Sequence, residues 1–166
     1  MKNVNRSMKA LIFDMDGTLA DFYGVTDWLQ DLQNENPRPY KVAHPLYDMD
    51  ALRWVLTRLQ NLGWKVIITS WLAGGSTKAY DKLVREAKLE WLEEYHFPYD
   101  EIHLVKYGTT KANCTRHLGG FQILFDDNEN VRRGWSLGET VDASKKDILD
   151  FLYQLWELEE LYGEGA

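Results

Sequence analysis

The sequence of 166 residues has almost no cysteine and no long apolar run, and both shortages exclude classes of protein. The single cysteine, Cys114, has no partner within the chain, which excludes a disulfide scaffold and favours a reducing compartment. The apolar runs are far too short to cross a membrane, and the N-terminus shows no apolar stretch of the signal-peptide kind. We therefore expect a cytoplasmic protein that is not bound to a membrane.

Positive charge and grouped histidines are also scarce. The 19 Lys and Arg are outnumbered by 26 Asp and Glu, so the formal net charge is −7, and strong binding to a nucleic-acid backbone is not expected. The four histidines (44, 96, 103 and 117) are scattered, and no Cys or His group has the spacing of a zinc site. An apolar content of 45% is that of a globular protein, and the length favours one domain over residues 1–166.

The most informative stretch runs from residue 8 to residue 19. Residues 10–13 predict a short buried strand of a parallel sheet, because the apolar run is brief and a turn signal follows it. Asp14 and Asp16 stand at its end, where ligands bind in open α/β sheets. Side chains two residues apart in a strand leave the same face, which predicts two convergent carboxylates that a cation or a shared proton would stabilise.

Two other interpretations apply to this stretch. A plain Asp-Gly turn after a strand is the alternative if the stretch is considered alone. A calcium loop of the EF-hand type is excluded, because the twelfth position counted from Asp14 is Val25, where that loop needs a glutamate.

The rest of the chain alternates helices and strands. Residues 1–8 are polar and expected to fray, and residues 20–45 predict a small cap-like insertion with one helix at 25–33 that Pro37 and Pro39 end. Further helices are predicted at 50–62, 77–95, 111–118 and from a capping box at Ser144 and Asp147 onward; strands are predicted at 64–68, 101–105 and 121–125, with an edge strand near 140–142. The pattern predicts an α/β fold, a three-layer Rossmann-like sandwich with a mostly parallel central sheet.

Polar residues follow the other predicted strands as well. They are Thr69 and Ser70 after the second strand, Lys106 or Lys111 after the third, and Asp126 and Asp127 after the fourth. Because the carboxyl ends of parallel strands share one edge of the sheet, these side chains are expected to meet Asp14 and Asp16 in one crevice.

This order of motifs resembles that of the haloacid dehalogenase (HAD) superfamily of phosphohydrolases, whose fold and chemistry it implies. The resemblance covers residues 10–135 and rests on the stretch from Asp14 to Thr18, on Thr69, on a lysine and on the pair Asp126-Asp127. The second acid of the first motif is typical of the phosphatases of that superfamily and is absent from the dehalogenases proper.

The resemblance implies a role for each matching residue. Asp14 would attack phosphorus and form an aspartyl-phosphate, while Asp16 would protonate the leaving oxygen and then activate water. Thr69 would hold a phosphoryl oxygen. A lysine would neutralise charge, and Lys111 is favoured over Lys106 because a helix N-terminus adds a positive field.

The implied cofactor is Mg²⁺, which prefers hard carboxylate oxygens together with a substrate phosphate. Asp127 would bind the ion with Asp126 as its neighbour or as a second ligand. Asp14 would join them, and Asp16 would contribute its backbone carbonyl.

Within the superfamily, the small insertion and the Thr69-Ser70 pair look most like the 5′(3′)-deoxyribonucleotidase branch, which implies a nucleoside monophosphate as substrate. The residues expected to bind it are Gly17, Thr18, Phe22, Trp28, Ser70 and Trp71. Aromatic rings near the crevice, Tyr23 among them, would stack on a base. For Phe22 and Trp28, packing of the insertion onto the domain is the alternative.

Alternatives from other classes stay open. A receiver-like signalling domain also uses Asp, Thr and Lys around Mg²⁺, but its acidic pair is on the first strand and its phosphoacceptor on a later one. A catalytically silent phosphate-binding module would usually have lost Asp14, Asp16 or the lysine. A phosphatase for phosphorylated oligonucleotide ends or for other small phosphoesters also fits the motifs, whereas phosphomutases and phosphonatases generally need a larger cap. The oligomeric state is not predicted.

Overall fold

Five parallel strands form the centre of the protein in the computed structural model, which describes residues 8–163. The strands are β1 (Lys9–Phe13), β2 (Trp64–Trp71), β3 (Glu101–Val105), β4 (Phe121–Asp126) and β5 (Gly138–Asp142). Their order is β3-β2-β1-β4-β5, and every pairing is parallel. The chain moves outward from β1 in one direction and then in the other, so the two directions diverge between β1 and β4. In open α/β sheets such a switch point opens a crevice at the carboxyl edge.

Seven α-helices occur in the described part of the chain, and the first two belong to the segment 20–45. They are α1 (Trp28–Gln33), α2 (Arg38–Val42), α3 (Met49–Asn61), α4 (Lys78–Glu94), α5 (Ala112–Thr115), α6 (Glu129–Arg133) and α7 (Ile148–Tyr162). None of the helices within residues 8–163 is long and apolar enough to span a membrane.

The alternating side chains of β1 bury both faces of the sheet. Leu11 and Phe13 pack into the larger core with α3, α4 and α7, whereas Ala10 and Ile12 pack into a smaller core with Ala112 of α5. Strands buried on both faces have continuous apolar sequences, which explains why the short run before Asp14 is a strand. The predicted three-layer α/β sandwich with a parallel sheet is confirmed.

The segment 20–45 differs from its prediction. A 3₁₀ turn (Phe22–Gly24) precedes α1, which begins at Trp28 rather than at residue 25. Pro37 and Pro39 also predict a break in helix over residues 34–40. This is wrong for residues 38–40, because α2 begins at Arg38 with Pro39 in its first turn. The N–H groups of a first turn have no partner within the helix, so proline costs nothing there.

Two details of the long helices also differ. The sequence pattern of residues 77–95 predicts Leu83 in the buried stripe of α4, but Leu83 is exposed. The buried residues of that helix are Tyr80, Val84, Ala87, Lys88, Trp91 and Leu92. In α7, the capping box at Ser144 is wrong: Asp147 caps the helix by accepting from the N–H of Asp150, while Ser144 donates to Asp142. The apolar pattern of the last helix also predicts Leu158 in its buried stripe, but that residue is exposed. The expected fraying of residues 1–8 lies, apart from Met8, outside the described residues.

Candidate active site

Three aspartates meet at the carboxyl edge of the sheet, at the switch point between β1 and β4. Asp14 follows β1, Asp126 ends β4 and Asp127 follows it. One carboxylate oxygen of each lies within 4.8 Å of the others. The backbone N–H of Asp14 donates to the carbonyl of Phe125 at 3.0 Å, so the pairing of the two strands continues into the cluster and fixes its spacing.

Burial makes this acidic cluster unfavourable when it is fully ionised. Asp126 is 1% exposed, and burial together with the negative charge of Asp14 raises its pKa to about 6. The same two causes, with the charge of Asp126 added, raise the pKa of Asp127 to about 7. A cation between these oxygens would relieve the repulsion.

Lys111 supplies a positive charge that offsets part of the repulsion among the three carboxylates. It stands at the N-cap of α5 and donates to Oδ1 of Asp14 at 2.8 Å and to Oδ2 of Asp126 at 2.7 Å. Burial alone would lower its pKa, but the two carboxylates raise it, so the ammonium stays charged. An ammonium group has three hydrogen-bond donors, so one donor of Lys111 remains after these two bonds. Lys106, by contrast, lies exposed after β3 and outside the cluster.

Asp16 lies in a turn that follows β1. The strand ends at Phe13, and the N–H groups of Thr18, Leu19 and Ala20 all point to the carbonyl of Met15. The expectation that the two carboxylates converge stays a prediction, and both side chains line the same cavity. The Asp16 side chain is not part of the three-aspartate cluster.

Gly17 and Thr18 support the cluster from this turn. Gly17 has φ +79°, and a Cβ there would overlap the carboxylate of Asp127, so only glycine fits. The hydroxyl of Thr18 is buried and donates to Oδ2 of Asp14 at 3.3 Å.

Asp16 pairs instead with a second buried lysine, Lys88 of α4, at 2.7 Å. The Lys88 ammonium also donates to Oγ of Ser70 at 2.8 Å and to the carbonyl of Trp71 at 2.9 Å, and it lies 5.1 Å from the ring centre of Tyr40. Burial raises the pKa of Asp16, and the charge of Lys88 offsets this in part.

A cavity of about 410 Å³ opens beside these groups. Asp14, Asp16, Lys111, Asp126 and Asp127 lie on its floor and walls. Six aromatic side chains line the rest: Phe22, Tyr23, Trp28, Tyr40, Trp71 and Tyr107.

These aromatic side chains differ in exposure. Tyr23 and Tyr107 are 54% and 64% exposed, whereas Phe22 is only 3% exposed and packs among Tyr23, Trp28 and Tyr40. Trp71 is fixed by a hydrogen bond from its Nε1 to the carbonyl of Thr109 at 2.8 Å. Tyr23 and Tyr107 are therefore the most exposed rings of the lining, and Tyr107 packs against Trp71 with 4.8 Å between the ring centres.

Thr69 lies fully buried in β2, two residues before that strand ends. Its Oγ1 has no hydrogen-bond partner among the described residues. A buried hydroxyl without a partner is costly, which is consistent with a ligand atom that completes it.

The donor set of the cluster suits Mg²⁺. Each of the three potential ligands is a carboxylate, with no nitrogen or sulfur donor in the group. Hard oxygens from a few carboxylates are what Mg²⁺ binds, with waters and a substrate phosphate completing its shell.

Comparison with known proteins adds little to this geometry. No protein-family model and no curated protein matches the chain. Among solved structures, the chain is similar to a protein of Mesorhizobium loti that is inferred to be a HAD-like phosphatase, with 16% identity and a TM-score of 0.47 over 91% of this chain and 87% of that chain. At this identity and TM-score the likeness bears on neither activity nor substrate.

The structure thus places the predicted site residues in three groups. Asp14, Lys111, Asp126 and Asp127 lie in one cluster, with Asp16 beside it and Gly17 and Thr18 supporting it. Trp28 and Trp71 line the cavity, as does the buried Phe22. Ser70, expected to bind substrate, is fully buried and accepts from Lys88. Lys106 is exposed and does not line the cavity.

The sequence pattern missed Lys88, Tyr40 and Tyr107. The signal for Lys88 is its place in the apolar stripe of α4, four residues after Val84 and eight after Tyr80. A lysine at such a position means either that the buried face of the helix has been assigned wrongly or that the lysine is buried with acceptors around it.

Proposed function

We propose that the protein is a Mg²⁺-dependent phosphomonoester hydrolase of the HAD type that acts through an aspartyl-phosphate on Asp14. The observation that supports this most strongly is the ion-paired group of Asp14, Lys111 and Asp126 at the strand ends, beside a cavity of about 410 Å³. A carboxylate in this setting is a plausible nucleophile only if neighbouring cations offset the charge of the incoming phosphate.

The first chemical step transfers the phosphoryl group to the protein. An oxygen of Asp14 forms a bond to phosphorus while the ester oxygen leaves and takes a proton from Asp16. Lys111 and the hydroxyl of Thr18 hold the Asp14 carboxylate in place. The remaining donor of Lys111 and the unpartnered Thr69 hydroxyl would bind phosphoryl oxygens and stabilise their developing charge.

The second step releases phosphate. Water attacks phosphorus, its proton passes to Asp16, and the bond to the Asp14 oxygen breaks. The Asp14, Asp126 and Asp127 carboxylates would hold Mg²⁺, with the backbone carbonyl of Asp16 as the resemblance implies. The bound ion would supply positive charge next to the phosphate.

We propose nucleoside monophosphates as the substrate class. The cavity lies within the usual range for small-ligand sites, about 300–1,000 Å³. Its two exposed tyrosines, Tyr23 and Tyr107, offer flat faces to a base, whereas a sugar phosphate would gain little from them. The segment 20–45, which carries Tyr23, acts as a small cap in this proposal. Phosphorylated oligonucleotide ends are less favoured because the net charge is −7.

The test compares phosphate release with Mg²⁺ from nucleoside monophosphates, sugar phosphates and phosphorylated oligonucleotide ends. Stacking on one aromatic ring is worth about 1–3 kcal/mol, so Tyr23→Ala or Tyr107→Ala should lower kcat/KM for nucleotides roughly 5- to 150-fold. The same variants should leave sugar phosphates nearly unchanged.

Tyr99→Ala is the matched control, because Tyr99 is also exposed but does not line the cavity. Nucleotides and sugar phosphates hydrolysed with equal efficiency, and unaffected by loss of either tyrosine, would exclude the nucleotidase and leave a phosphatase of other specificity. Preference for oligonucleotide ends would favour that alternative.

A further inference from the structure

Lys88 is the buried charge that the proposed chemistry leaves unexplained. It is 1% exposed within the apolar stripe of α4, and it does not line the cavity. Its hydrogen bonds run to Oδ2 of Asp16 (2.7 Å), Oγ of Ser70 (2.8 Å) and the carbonyl of Trp71 (2.9 Å). These three bonds use all three donors of the ammonium, so Lys88 has none left to bind a phosphate.

A purely structural role explains Lys88 poorly. Burying an ammonium costs several kcal/mol, and well-packed apolar side chains often replace buried ion pairs without loss of stability. The neighbours of Lys88 in the stripe, Val84 and Trp91, are apolar. A lysine at this place is therefore better explained by what it does to its partners than by the packing of α4.

The partners of Lys88 belong to the two segments that carry the proposed chemistry. Asp16 lies in the turn after β1, while Ser70 and Trp71 end β2, next to Thr69. Lys88 thus joins the turn that carries Asp16 to the end of β2. Among the described residues it makes the only side-chain hydrogen bond to Asp16. It binds Oδ2 of Asp16 and leaves Oδ1 without a hydrogen-bond partner in the same set.

We propose that Lys88 is a positioning residue for Asp16. By holding Oδ2 it fixes the rotation of the carboxyl group, so that Oδ1 remains available to give a proton to the leaving oxygen. This inference rests on the proposed function, in which Asp16 is the acid. A general acid has to lie within hydrogen-bond distance of the oxygen that it protonates. If the Asp16 carboxyl group rotated freely, proton transfer to the leaving oxygen would be slower.

The experiment uses leaving groups that differ in their need for a proton. The alkoxide of a nucleoside monophosphate needs protonation as it departs, whereas the nitrophenolate of p-nitrophenyl phosphate does not. Lys88→Met keeps the length of the side chain and removes its charge. We expect kcat and kcat/KM for a nucleoside monophosphate to fall on the order of 10²-fold with KM nearly unchanged. For p-nitrophenyl phosphate, kcat/KM should change less than tenfold. This parameter reports only the steps up to phosphoryl transfer, and none of them needs a proton from Asp16 with this leaving group.

Lys82→Met is the matched control, because Lys82 is an exposed lysine of the same helix, and it should behave as the parent protein. Equal losses of kcat/KM on both substrates in Lys88→Met would overturn the inference and assign Lys88 a structural role.

A double variant keeps the test decisive if Lys88→Met fails to fold. Asp16→Asn with Lys88→Met removes both charges together, so no buried carboxylate is left unpaired. If Lys88 acts only through Asp16, the double variant should hydrolyse p-nitrophenyl phosphate as fast as Asp16→Asn alone. A further loss in the double variant would contradict the inference while the proposed function stands. A folded parent protein without phosphatase activity would overturn both.

Discussion

Lys111 carries the charge balance of the candidate site. It is 4% exposed and within 2.8 Å of both Asp14 and Asp126. Without it, two buried carboxylates would face each other with no cation from the protein. The residue therefore affects both the reactivity of Asp14 and the stability of the sheet edge.

We expect Lys111→Met to lower kcat at least 10²-fold, since a charge-stabilising donor in a water-poor site is typically worth that much. Because a broken buried ion pair leaves an uncompensated charge, the free energy of unfolding should also fall, by about 3–5 kcal/mol. Phosphate release and urea unfolding measure the two effects. Lys106→Met is the control, since that lysine is exposed. If Lys111→Met behaved like the parent protein, the charge-neutralising role would be assigned to Lys106 instead.

Some residues of the candidate site can be predicted from the sequence, and others cannot. Asp14, Lys111 and Asp126 are predictable because strand ends and a helix start place them at one edge. Lys88 is not, because a lysine on an amphipathic helix normally faces solvent. Only its acceptors, Asp16 in the turn after β1 and Ser70 on β2, make its burial favourable. The position of the Asp16 carboxylate depends on the turn at Met15, which strand periodicity does not describe.

At the level of elements, the start of α7 is set by one side chain. Asp147 accepts from the N–H of Asp150 at 3.0 Å and so satisfies a donor that has no partner within the helix. Ser144 lies one turn earlier, where it donates to Asp142 instead.

We expect Asp147→Ala to reduce the free energy of unfolding by about 1 kcal/mol, which corresponds to roughly 2–4 °C in the melting temperature. Ser144→Ala should cost no more than about 0.5 kcal/mol, as at an ordinary surface position. Thermal unfolding of the two variants distinguishes the caps. A larger loss for Ser144→Ala would place the start of the helix at the predicted capping box.

The elements themselves were mostly predictable. The inner strands β1, β2 and β4 each contain a continuous apolar run, since a parallel sheet covered on both faces demands it. The start of α2 was not predictable, because prolines usually end a helix. Here Pro37 precedes α2 and Pro39 lies in its first turn, where proline is tolerated. Leu83 was misplaced because Lys88 and Leu92 complete the buried side of α4 in its stead.

At the scale of the molecule, the strand order brings like charges together at the switch point between the paired strands β1 and β4. Such an arrangement is stable only with protons or a cation, because burial strengthens the repulsion. We therefore expect Mg²⁺ to stabilise the folded protein. At a hundredfold excess over its dissociation constant the gain is about 2.7 kcal/mol, or roughly 5–10 °C in the melting temperature. Melting curves with Mg²⁺ and with EDTA measure it.

The metal-free protein should also show the repulsion as a pH dependence. The pKa values of Asp126 and Asp127, about 6 and about 7, lie above those of ordinary aspartates, so the folded protein binds these protons more tightly than the unfolded chain. Their contribution is favourable below about pH 4 and is lost as the pH rises to about 7. In EDTA the melting temperature should thus be lower at pH 8 than at pH 5, and Asp127→Asn should reduce the difference. Superimposed curves with Mg²⁺ and EDTA at pH 8 would argue against a metal site.

The aspartyl-phosphate on Asp14 is the most direct test of the whole account. The protein would be mixed with Mg²⁺ and a nucleoside monophosphate, quenched in acid during turnover and digested, and the peptide that contains Asp14 examined by mass spectrometry. We expect a phosphoryl group on that peptide in the parent protein, and Asp14→Asn should be folded, unlabelled and inactive. Turnover without a phosphoryl group on Asp14, or phosphate release by Asp14→Asn at the parent rate, would contradict the proposed mechanism.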